Sequence, residues 1–526
     1  MRQNDHDRAC GGAAKGSRRA VAMQLTDSAS RLPSSSRWGI GSGLRKALST
    51  LLLAFLVYPG GLVRAQAQGP SIQPPNMLVF VADDLGWRDL GVYGNRAIRT
   101  PNLDQLARSG LRVMQAFGTS PQCSPSRIST LSGRYSHATR TEDLHTAVPE
   151  GVRLLPSYLQ ARGYFTGMMA KTHIGPAGDR QFQWYSPKLA EAFPEFLDSA
   201  GTRPFLLWVG FHDPHRPYQP ETIPRPHDPA RVSVPPHLVD DPETRTDLAR
   251  YYDEISRMDG EIGRMLVELD RRQLGANTLV VFFSDNGAPF PREKGTLYDA
   301  GTRTPLILSW PSVIPPGTVY RRGLVSLIDL TPTLLELAGG PLPEGMQGRS
   351  FRPLLTSPDS YPGRAHVFSE RNWHDCDEHQ RAVRTVGFKL IRTDAYAGLP
   401  LCTAADIGAS PSFLSLRARA RSGRLTTAQQ RLFETPRARL ELYDLKRDPW
   451  ELVNVADDPA YAEDVRRLAG VLQEWVEQSD DFPAMYRTRA DNTDRLTGVQ
   501  LHSRIPPLGN PDLPSPDERW GAQGPR

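Results

Sequence analysis

The sequence predicts an α/β fold, in which helices cover both faces of a large, mostly parallel sheet. Continuous apolar runs, which are typical of strands buried on both faces, alternate with segments of helical periodicity. The first such run is Asn76–Ala82, and a long amphipathic segment at 247–273 precedes another run at Thr278–Ser284. Parallel strands joined by helices produce this alternation, so a sheet covered on both faces is expected.

The elements of this sheet can be assigned in chain order. Four buried strands are predicted, at Asn76–Ala82, 164–170, 205–211 and Thr278–Ser284. Thr100 and Pro101 begin a helix that Gly110 ends, because proline is favoured in the first turn and glycine after the last. In the segment 247–273, apolar residues recur at helical spacing, which predicts a long helix with one buried face.

The C-terminal part of the chain has a different pattern. Strand-like runs at 366–369, 382–392 and 440–445, followed by a helix at 464–478, predict a smaller α+β domain with an antiparallel sheet. The composition therefore divides the chain into five segments. These are a targeting segment (1–67), a larger N-terminal domain (74–345), a linker rich in Pro, Gly and Ser (346–365), a smaller C-terminal domain (366–490) and a Pro-rich tail (491–526).

The N-terminal segment has the features of an export signal. Arg45 and Lys46 precede an apolar run at 47–58, and the triplet at 65–67 (AQA) fits a cleavage site. The run is too short for a comfortable transmembrane helix, so we expect an exported chain, periplasmic or extracellular, without a stable membrane span. An N-terminal membrane anchor is the alternative interpretation, and either Met1 or Met23 fits as the start.

The basic character of the chain is confined to that segment. Residues 1–67 carry ten Lys or Arg and three Asp, which leaves the remaining chain close to neutral and gives no support for nucleic-acid binding. Of the four cysteines, Cys10 lies in the segment that would be removed. Cys376 and Cys402 would either pair in an oxidising compartment or stay as two free thiols.

The most informative segment is 123–134 (CSPSRISTLSGR), which contains a Cys-x-Pro-x-Arg core. Pro125 is typical of a first helical turn, so Cys123 is predicted to lie at a helix N-terminus with Arg127 one turn later. The free amide groups at such an end favour an anion. We therefore interpret Cys123 as a reactive residue that faces a bound oxyanion, although a buried cysteine before an ordinary helix would give the same pattern.

Polar residues follow each of the four predicted strands, where ligands bind in open α/β sheets. Four of these residues, Asp83, Asp84, Asp285 and Asn286, offer hard oxygen ligands, which suit calcium or magnesium and do not suit zinc. Asp83–Asp84 or Asp285–Asn286 alone could be a solvated turn. Because polar residues follow all four strands, we expect them to line one cleft. The residues concerned are Asp83 and Asp84, Lys171 and His173, Asp213 and His215, and Asp285 and Asn286.

Together these motifs resemble those of the type I sulfatases, within the alkaline-phosphatase-like superfamily, over residues 76–485. The resemblance implies that superfamily's fold, with a large mixed sheet. It also implies that Cys123 is oxidised to formylglycine (3-oxoalanine) by a formylglycine-generating enzyme, and that calcium, or alternatively magnesium, is bound. The implied metal ligands are Asp83, Asp84, Cys123, Asp285 and Asn286.

The resemblance also implies roles for the remaining residues. The hydrated formylglycine would attack sulfur, assisted by Arg127, while Lys171 and Lys294 hold the sulfate oxygens. His215 would protonate the leaving group, and His173 would assist sulfate release. The residues expected to bind the sugar are Asp213, Glu370, His374 and Asp375.

Within that family, the segments 211–216 (FHDPHR) and 285–291 (DNGAPFP) resemble those of the heparan N-sulfatases. The expected substrate is therefore a sulfated saccharide, with N-sulfoglucosamine the first choice. A carbohydrate O-sulfatase and a phosphate or phosphonate monoester hydrolase are alternatives. So is a non-catalytic glycan-binding protein in which Cys123 stays unconverted. The resemblance leaves a homodimer open.

Overall fold

The computed structural model describes residues 74–481 and Arg495, and a nine-stranded sheet forms its centre. The predicted strands at Asn76–Ala82 and Thr278–Ser284 form with the expected bounds. The sheet also contains strands that the sequence pattern did not indicate. Its members are β1 (Asn76–Ala82), β2 (Leu111–Phe117), β3 (Phe165–Ala170), β4 (Trp184–Ser186), β5 (Phe205–Gly210), β6 (Thr278–Ser284), β7 (Arg303–Ser309), β8 (Thr318–Tyr320) and β9 (Val325–Ser326).

The strand order is β4-β3-β5-β1-β6-β7-β2-β8, with β9 also paired to β2. From β4 to β6 all neighbours are parallel, whereas β7 is antiparallel to both β6 and β2. β8 and β9 are again parallel to β2. The predicted fold class is therefore confirmed, because the large sheet is mixed but mostly parallel.

The central strand β1 shows why its sequence is apolar throughout. Successive side chains of a strand point to opposite faces of a sheet. Met77 and Val79 accordingly belong to one hydrophobic cluster, and Leu78 and Phe80 belong to another on the opposite face. Because both clusters are covered by helices, neither face of β1 tolerates a polar residue before the strand ends.

Fourteen α-helices are present in the described residues. The longest, predicted at 247–273, begins earlier, because the Asp241 side chain caps the Thr244 amide at 2.9 Å and Pro242 occupies the first turn. The helices are α1 (Pro101–Arg108), α2 (Cys123–Ser132), α3 (Ser136–Thr139), α4 (Leu155–Gln160), α5 (Pro176–Asp179), α6 (Phe193–Ala200), α7 (Pro242–Arg271), α8 (Asp299–Thr302), α9 (Leu330–Leu337), α10 (Arg352–Thr356), α11 (Ala405–Gly408), α12 (Pro411–Arg421), α13 (Thr427–Gln430) and α14 (Ala462–Gln478).

A second, antiparallel sheet lies C-terminal to the first, and α14 covers one of its faces through Leu468 and Leu472. The prediction of a single strand at 382–392 was wrong, because a turn after Arg384 divides that segment between two strands. The strand predicted at 366–369 extends much further and includes Glu370 and His374. The strands are β10 (Val367–His374), β11 (Cys376–Arg384), β12 (Phe388–Ala395) and β13 (Leu440–Asp444).

Several predictions concern segments that fall wholly or largely outside the described residues. The targeting segment at 1–67 and, apart from Arg495, the tail at 491–526 are among them. The boundaries of the two predicted domains and of the linker stay predictions. Within residues 74–481, no helix is long and apolar enough to cross a membrane. Of the two interpretations of Cys376 and Cys402, the structure supports the pair, since a disulfide joins them.

Candidate active site

The C-terminal ends of four neighbouring strands bring the predicted site residues to one edge of the large sheet. In sheet order these strands are β3, β5, β1 and β6. The residues that follow them come together because parallel strands end at the same edge. Cys123, the first residue of α2, faces this edge, and its side chain is buried.

A buried acidic cluster surrounds the Cys123 thiol. The Cys123 Sγ atom lies 3.4 Å from Asp83 Oδ1 and 3.8 Å from Asp84 Oδ1. The Asn286 side-chain amide donates to Asp84 Oδ1 at 2.7 Å, and the Asp84 backbone amide donates to Asp285 Oδ1 at 3.1 Å. All five predicted metal ligands are therefore in one contiguous group, almost completely removed from solvent.

Cationic side chains compensate this group. Arg127 donates through Nε to Asp285 Oδ2 at 2.8 Å and lies 3.6 Å from Asp83, which also forms an ion pair with Lys171. Burial alone would raise the pKa of Asp83, but Lys171 and Arg127 outweigh it and hold the pKa below its ordinary value. Burial raises the pKa of Asp285 to about 6, although Arg127 opposes the shift. Lys294 donates to Asp84 Oδ2 at 2.7 Å.

These residues fit a divalent metal ion that prefers oxygen ligands. Asn286 Oδ1 is buried and accepts no hydrogen bond from any residue that the structure describes. A buried carbonyl oxygen without a donor is costly unless a cation or water contacts it. Together with Asp83, Asp84 and Asp285 it forms the carboxylate and amide set that calcium and magnesium bind.

The two predicted proton-transfer histidines lie on opposite sides of the cluster. His215 Nε2 is 3.2 Å from Lys294 Nζ, and His215 Nδ1 contacts the Arg216 carbonyl. His173 Nε2 is 2.7 Å from Nδ1 of His145, a contact that the sequence did not indicate. Burial and the charge of Lys171 lower the pKa of His173 to about 2, so this ring is neutral over the ordinary pH range.

Of the residues predicted to bind the sugar, two are already engaged by other parts of the protein. Asp213 forms an ion pair with Arg257, with contacts at 2.5 and 2.9 Å. Glu370 is completely buried in β10 and contacts His137 Nδ1 at 2.6 Å. In this arrangement the Glu370 carboxylate has no surface that a sugar could reach.

The other two predicted sugar-binding residues lie where β10 turns into β11. His374 ends β10, and its Nδ1 atom is 3.0 Å from Asp375 Oδ2, which also accepts from the Ala405 amide at 2.9 Å. His374 Nε2 is buried and has no hydrogen-bond partner among residues 74–481 and Arg495. His374 Nε2 is therefore available to form a hydrogen bond with a bound ligand.

Besides His145, Asp406 is a site residue that the sequence did not indicate. Its Oδ2 atom lies 2.8 Å from Lys294 Nζ and 3.6 Å from His215 Nε2. Asp406 follows no predicted strand, so it is absent from the polar residues expected at the strand ends. The one sequence feature that could have indicated Asp406 is Cys402, four residues earlier, because its disulfide with Cys376 brings this segment to the β10–β11 turn.

Comparison with known proteins agrees with this geometry. Residues 75–185 and 178–340 match the family model described as Sulfatase, and residues 292–398 match N-sulphoglucosamine sulphohydrolase, C-terminal. A human protein named N-sulphoglucosamine sulphohydrolase is 34% identical over 474 residues, which cover 80% of this chain and 92% of that protein. The chain belongs to the sulfatase family. Its resemblance to that family, inferred above from the motifs, is therefore confirmed.

Other proteins similar to this sulfatase are described as acting on different compounds. An ulvan-active sulfatase of Formosa agariphila is 27% identical over 459 residues, which cover 76% of this chain and 74% of the relative. A solved structure of a complex with D-glucosamine-2-N,6-O-disulfate has a TM-score of 0.60 at 21% identity and covers 78% and 99% of the two chains. A phosphonate monoester hydrolase of Silicibacter pomeroyi has a TM-score of 0.60 at 19% identity and covers 77% and 96%. The two solved structures support the fold.

Proposed function

We propose that this sulfatase hydrolyses the N-sulfate of glucosamine in a heparan- or heparin-type saccharide. The match of residues 292–398 to the C-terminal model of N-sulphoglucosamine sulphohydrolases carries this proposal. That region supplies Lys294, which lies 3.2 Å from Nε2 of His215, the proposed proton donor to the leaving group. The 34% identity to the human relative over most of both chains supports the same substrate class.

The proposed chemistry requires two groups that the unmodified chain does not itself supply. Formylglycine at position 123 would provide, as its hydrate, a hydroxyl nucleophile for sulfur, and a bound divalent cation would withdraw charge from the sulfate oxygens. One hydroxyl oxygen of that hydrate would take the place of the Cys123 Sγ atom. Asp83, Asp84, Asp285 and Asn286 would hold the cation, for which calcium is our first choice.

Three cationic side chains would serve the reaction: Lys171 and Lys294 would hold the sulfate oxygens, and Arg127 would assist the attacking hydroxyl. Lys171 pairs with Asp83, Lys294 pairs with Asp84, and Arg127 lies 3.6 Å from Asp83. Each is held by a buried carboxylate, so the cations are fixed before substrate binds. Fixed donors of this kind stabilise developing charge without reorganisation, which is usually the largest catalytic contribution.

The proton transfers are assigned to the two histidines. His215 Nδ1 faces a backbone carbonyl, which leaves Nε2 to carry the proton to the departing nitrogen. His173 Nε2 would accept a proton from the second hydroxyl of the hydrate at the end of the reaction. Its Nε2 atom faces His145 in the free protein and must exchange that contact for the reacting hydroxyl.

The maturation and location of the enzyme belong to the same proposal. A formylglycine-generating enzyme would convert Cys123, and the chain would be exported to the periplasm or beyond. The Cys376–Cys402 disulfide supports export, because disulfides persist mainly in oxidising compartments. A homodimer stays a prediction.

The direct test is sulfate release by the matured enzyme from N-sulfoglucosamine, glucosamine 6-O-sulfate and a phosphate monoester. We expect the N-sulfate to be the preferred substrate, with the highest kcat/KM. A preference for the 6-O-sulfate would instead identify a carbohydrate O-sulfatase. Preferred turnover of the phosphate monoester, or no turnover of any of the three, would contradict the sulfatase assignment.

A further inference from the structure

The charge of Asp406 is not explained by the chemistry proposed above. Asp83, Asp84 and Asp285 belong to the predicted metal site, whereas Asp406 comes from α11 and takes part in no predicted step. It nevertheless lies 2.8 Å from Lys294, one of the cations proposed to hold the sulfate oxygens. It is also 3.6 Å from His215 Nε2, the proposed donor to the leaving group.

The position of this carboxylate is fixed by the surrounding structure. The amide of the preceding residue, Ala405, donates to Asp375, and the Cys376–Cys402 disulfide ties the segment to the β10–β11 hairpin. Burial opposes ionisation, but Lys294 and His215 outweigh it and lower the pKa of Asp406, so the side chain stays charged. The negative charge therefore cannot leave the cleft when an anion enters it.

Such a charge affects anions according to their own charge. The Lys294 ammonium group attracts a sulfate oxygen. The Asp406 carboxylate, which contacts the same ammonium group, weakens that attraction and also repels the anion directly. In Coulomb's law the repulsion is proportional to the charge of the anion, so a dianion is disfavoured twice as strongly as a monoanion. A sulfate ester or sulfamate carries one negative charge, whereas inorganic sulfate and phosphate monoesters carry two.

We propose that Asp406 is a specificity-determining residue that makes the cleft selective for monoanionic sulfo groups over dianions. It would thereby favour the substrate over both phosphate monoesters and the product, inorganic sulfate. This inference rests on the proposed function for the identity of the substrate, but the selectivity itself is a property of anion binding that can be measured separately.

The test is calorimetric binding of sulfamate ion and sulfate ion to the matured enzyme and to the Asp406→Asn variant. The two ions have the same tetrahedral sulfo group and differ by one charge. Asparagine keeps an oxygen for Lys294 but removes the negative charge. We expect the variant to bind sulfate about tenfold more tightly and sulfamate about threefold more tightly, since the electrostatic free energy for the dianion is twice as large.

The matched control is Asp394→Asn, because the Asp394 side chain has the same 21% exposure but is paired with Arg392 of β12 and His379 of β11. It should change neither affinity. If Asp406 merely positions Lys294, both ions will bind more weakly to Asp406→Asn, which is the opposite sign and would overturn the inference. Unchanged affinities would overturn it equally. Failure of the wild type to release sulfate from N-sulfoglucosamine would contradict the proposed function alone.

Discussion

Lys294 connects the metal side of the site to the leaving-group side. Its ammonium group donates to Asp84 and Asp406 at 2.7 and 2.8 Å and lies 3.2 Å from His215 Nε2. A sulfate oxygen can reach Lys294 only by replacing one of these contacts. The His215 contact is the longest of the three, so we expect a sulfate oxygen to replace it and to free His215 Nε2 for the leaving group.

The role of His215 predicts a dependence on the leaving group. We expect His215→Ala to lower kcat for N-sulfoglucosamine by about 100-fold or more, because a poor leaving group needs a proton in the transition state. The same substitution should have a much smaller effect on 4-nitrophenyl sulfate, whose leaving group departs as a stable anion. Rates measured with both substrates on one enzyme preparation check this, and equal losses would argue against an acid role.

At the scale of elements, Glu370 joins three parts of the fold, whereas the resemblance had implied that it binds the sugar. Its carboxylate accepts from both the backbone amide and Nδ1 of His137 in α3, at 3.1 and 2.6 Å. The second ring nitrogen, Nε2, lies 3.2 Å from the Ser479 carbonyl that follows α14. Both nitrogens face acceptors, so the ring is held as an imidazolium that ties β10, α3 and the end of α14 together.

This contact predicts a pH-dependent contribution to stability. Burial opposes protonation of His137, but Glu370 and Asp481 outweigh it, despite the opposing charge of Arg381, and raise the pKa from 6.5 to about 9. The stabilisation is therefore complete below about pH 6.5 and is lost as the pH rises through 9. At pH 6.5 we expect His137→Gln to lower the free energy of unfolding by about 3 kcal/mol, as for a broken buried ion pair.

Chemical denaturation of the wild type and His137→Gln at pH 6.5 and pH 9 checks this expectation. The difference in the free energy of unfolding between the two proteins should be smaller at pH 9, because only the wild type has a histidine at position 137 that loses its proton. Groups that titrate in both proteins cancel in the comparison. A difference that stays constant or grows with pH would contradict the assignment of a charged ring.

The elements also show how far the sequence could predict the fold and the site. β1, β5 and β6 were predictable because each contains an unbroken run of apolar residues, and the residues after them formed the expected cluster. β2 and β7 were not, since Arg112, Gln115 and Arg303 interrupt their apolar patterns at partly exposed positions. Asp406 and His145 escaped prediction for another reason, because their segments reach the cleft through tertiary contacts that no local pattern specifies.

For the whole molecule, the metal site should link ligand binding to stability. The carboxylates of Asp83, Asp84 and Asp285 meet at one sheet edge only in the folded chain, where they offer a cation a common site. Binding of calcium to the folded chain alone should therefore stabilise it, by about 2.7 kcal/mol at a concentration of 100 times Kd.

Asn286→Ala provides the specific test of that site. It removes the one neutral oxygen of the set without adding charge, so we expect weaker calcium binding and a smaller increase in Tm on adding calcium to chelator-treated enzyme. Asn277→Ala, at an exposed position directly before β6, serves as a control that should keep the full increase. An equal increase in both variants would place the calcium elsewhere.

The central claim concerns Cys123, because every proposed step depends on its conversion. Mass spectrometry of the peptide that contains Cys123, from enzyme purified from its native compartment, tests this most directly. We expect a loss of about 18 Da relative to the unmodified thiol, the signature of an aldehyde in place of the thiol. An unmodified thiol in native, fully active enzyme would contradict the formylglycine mechanism.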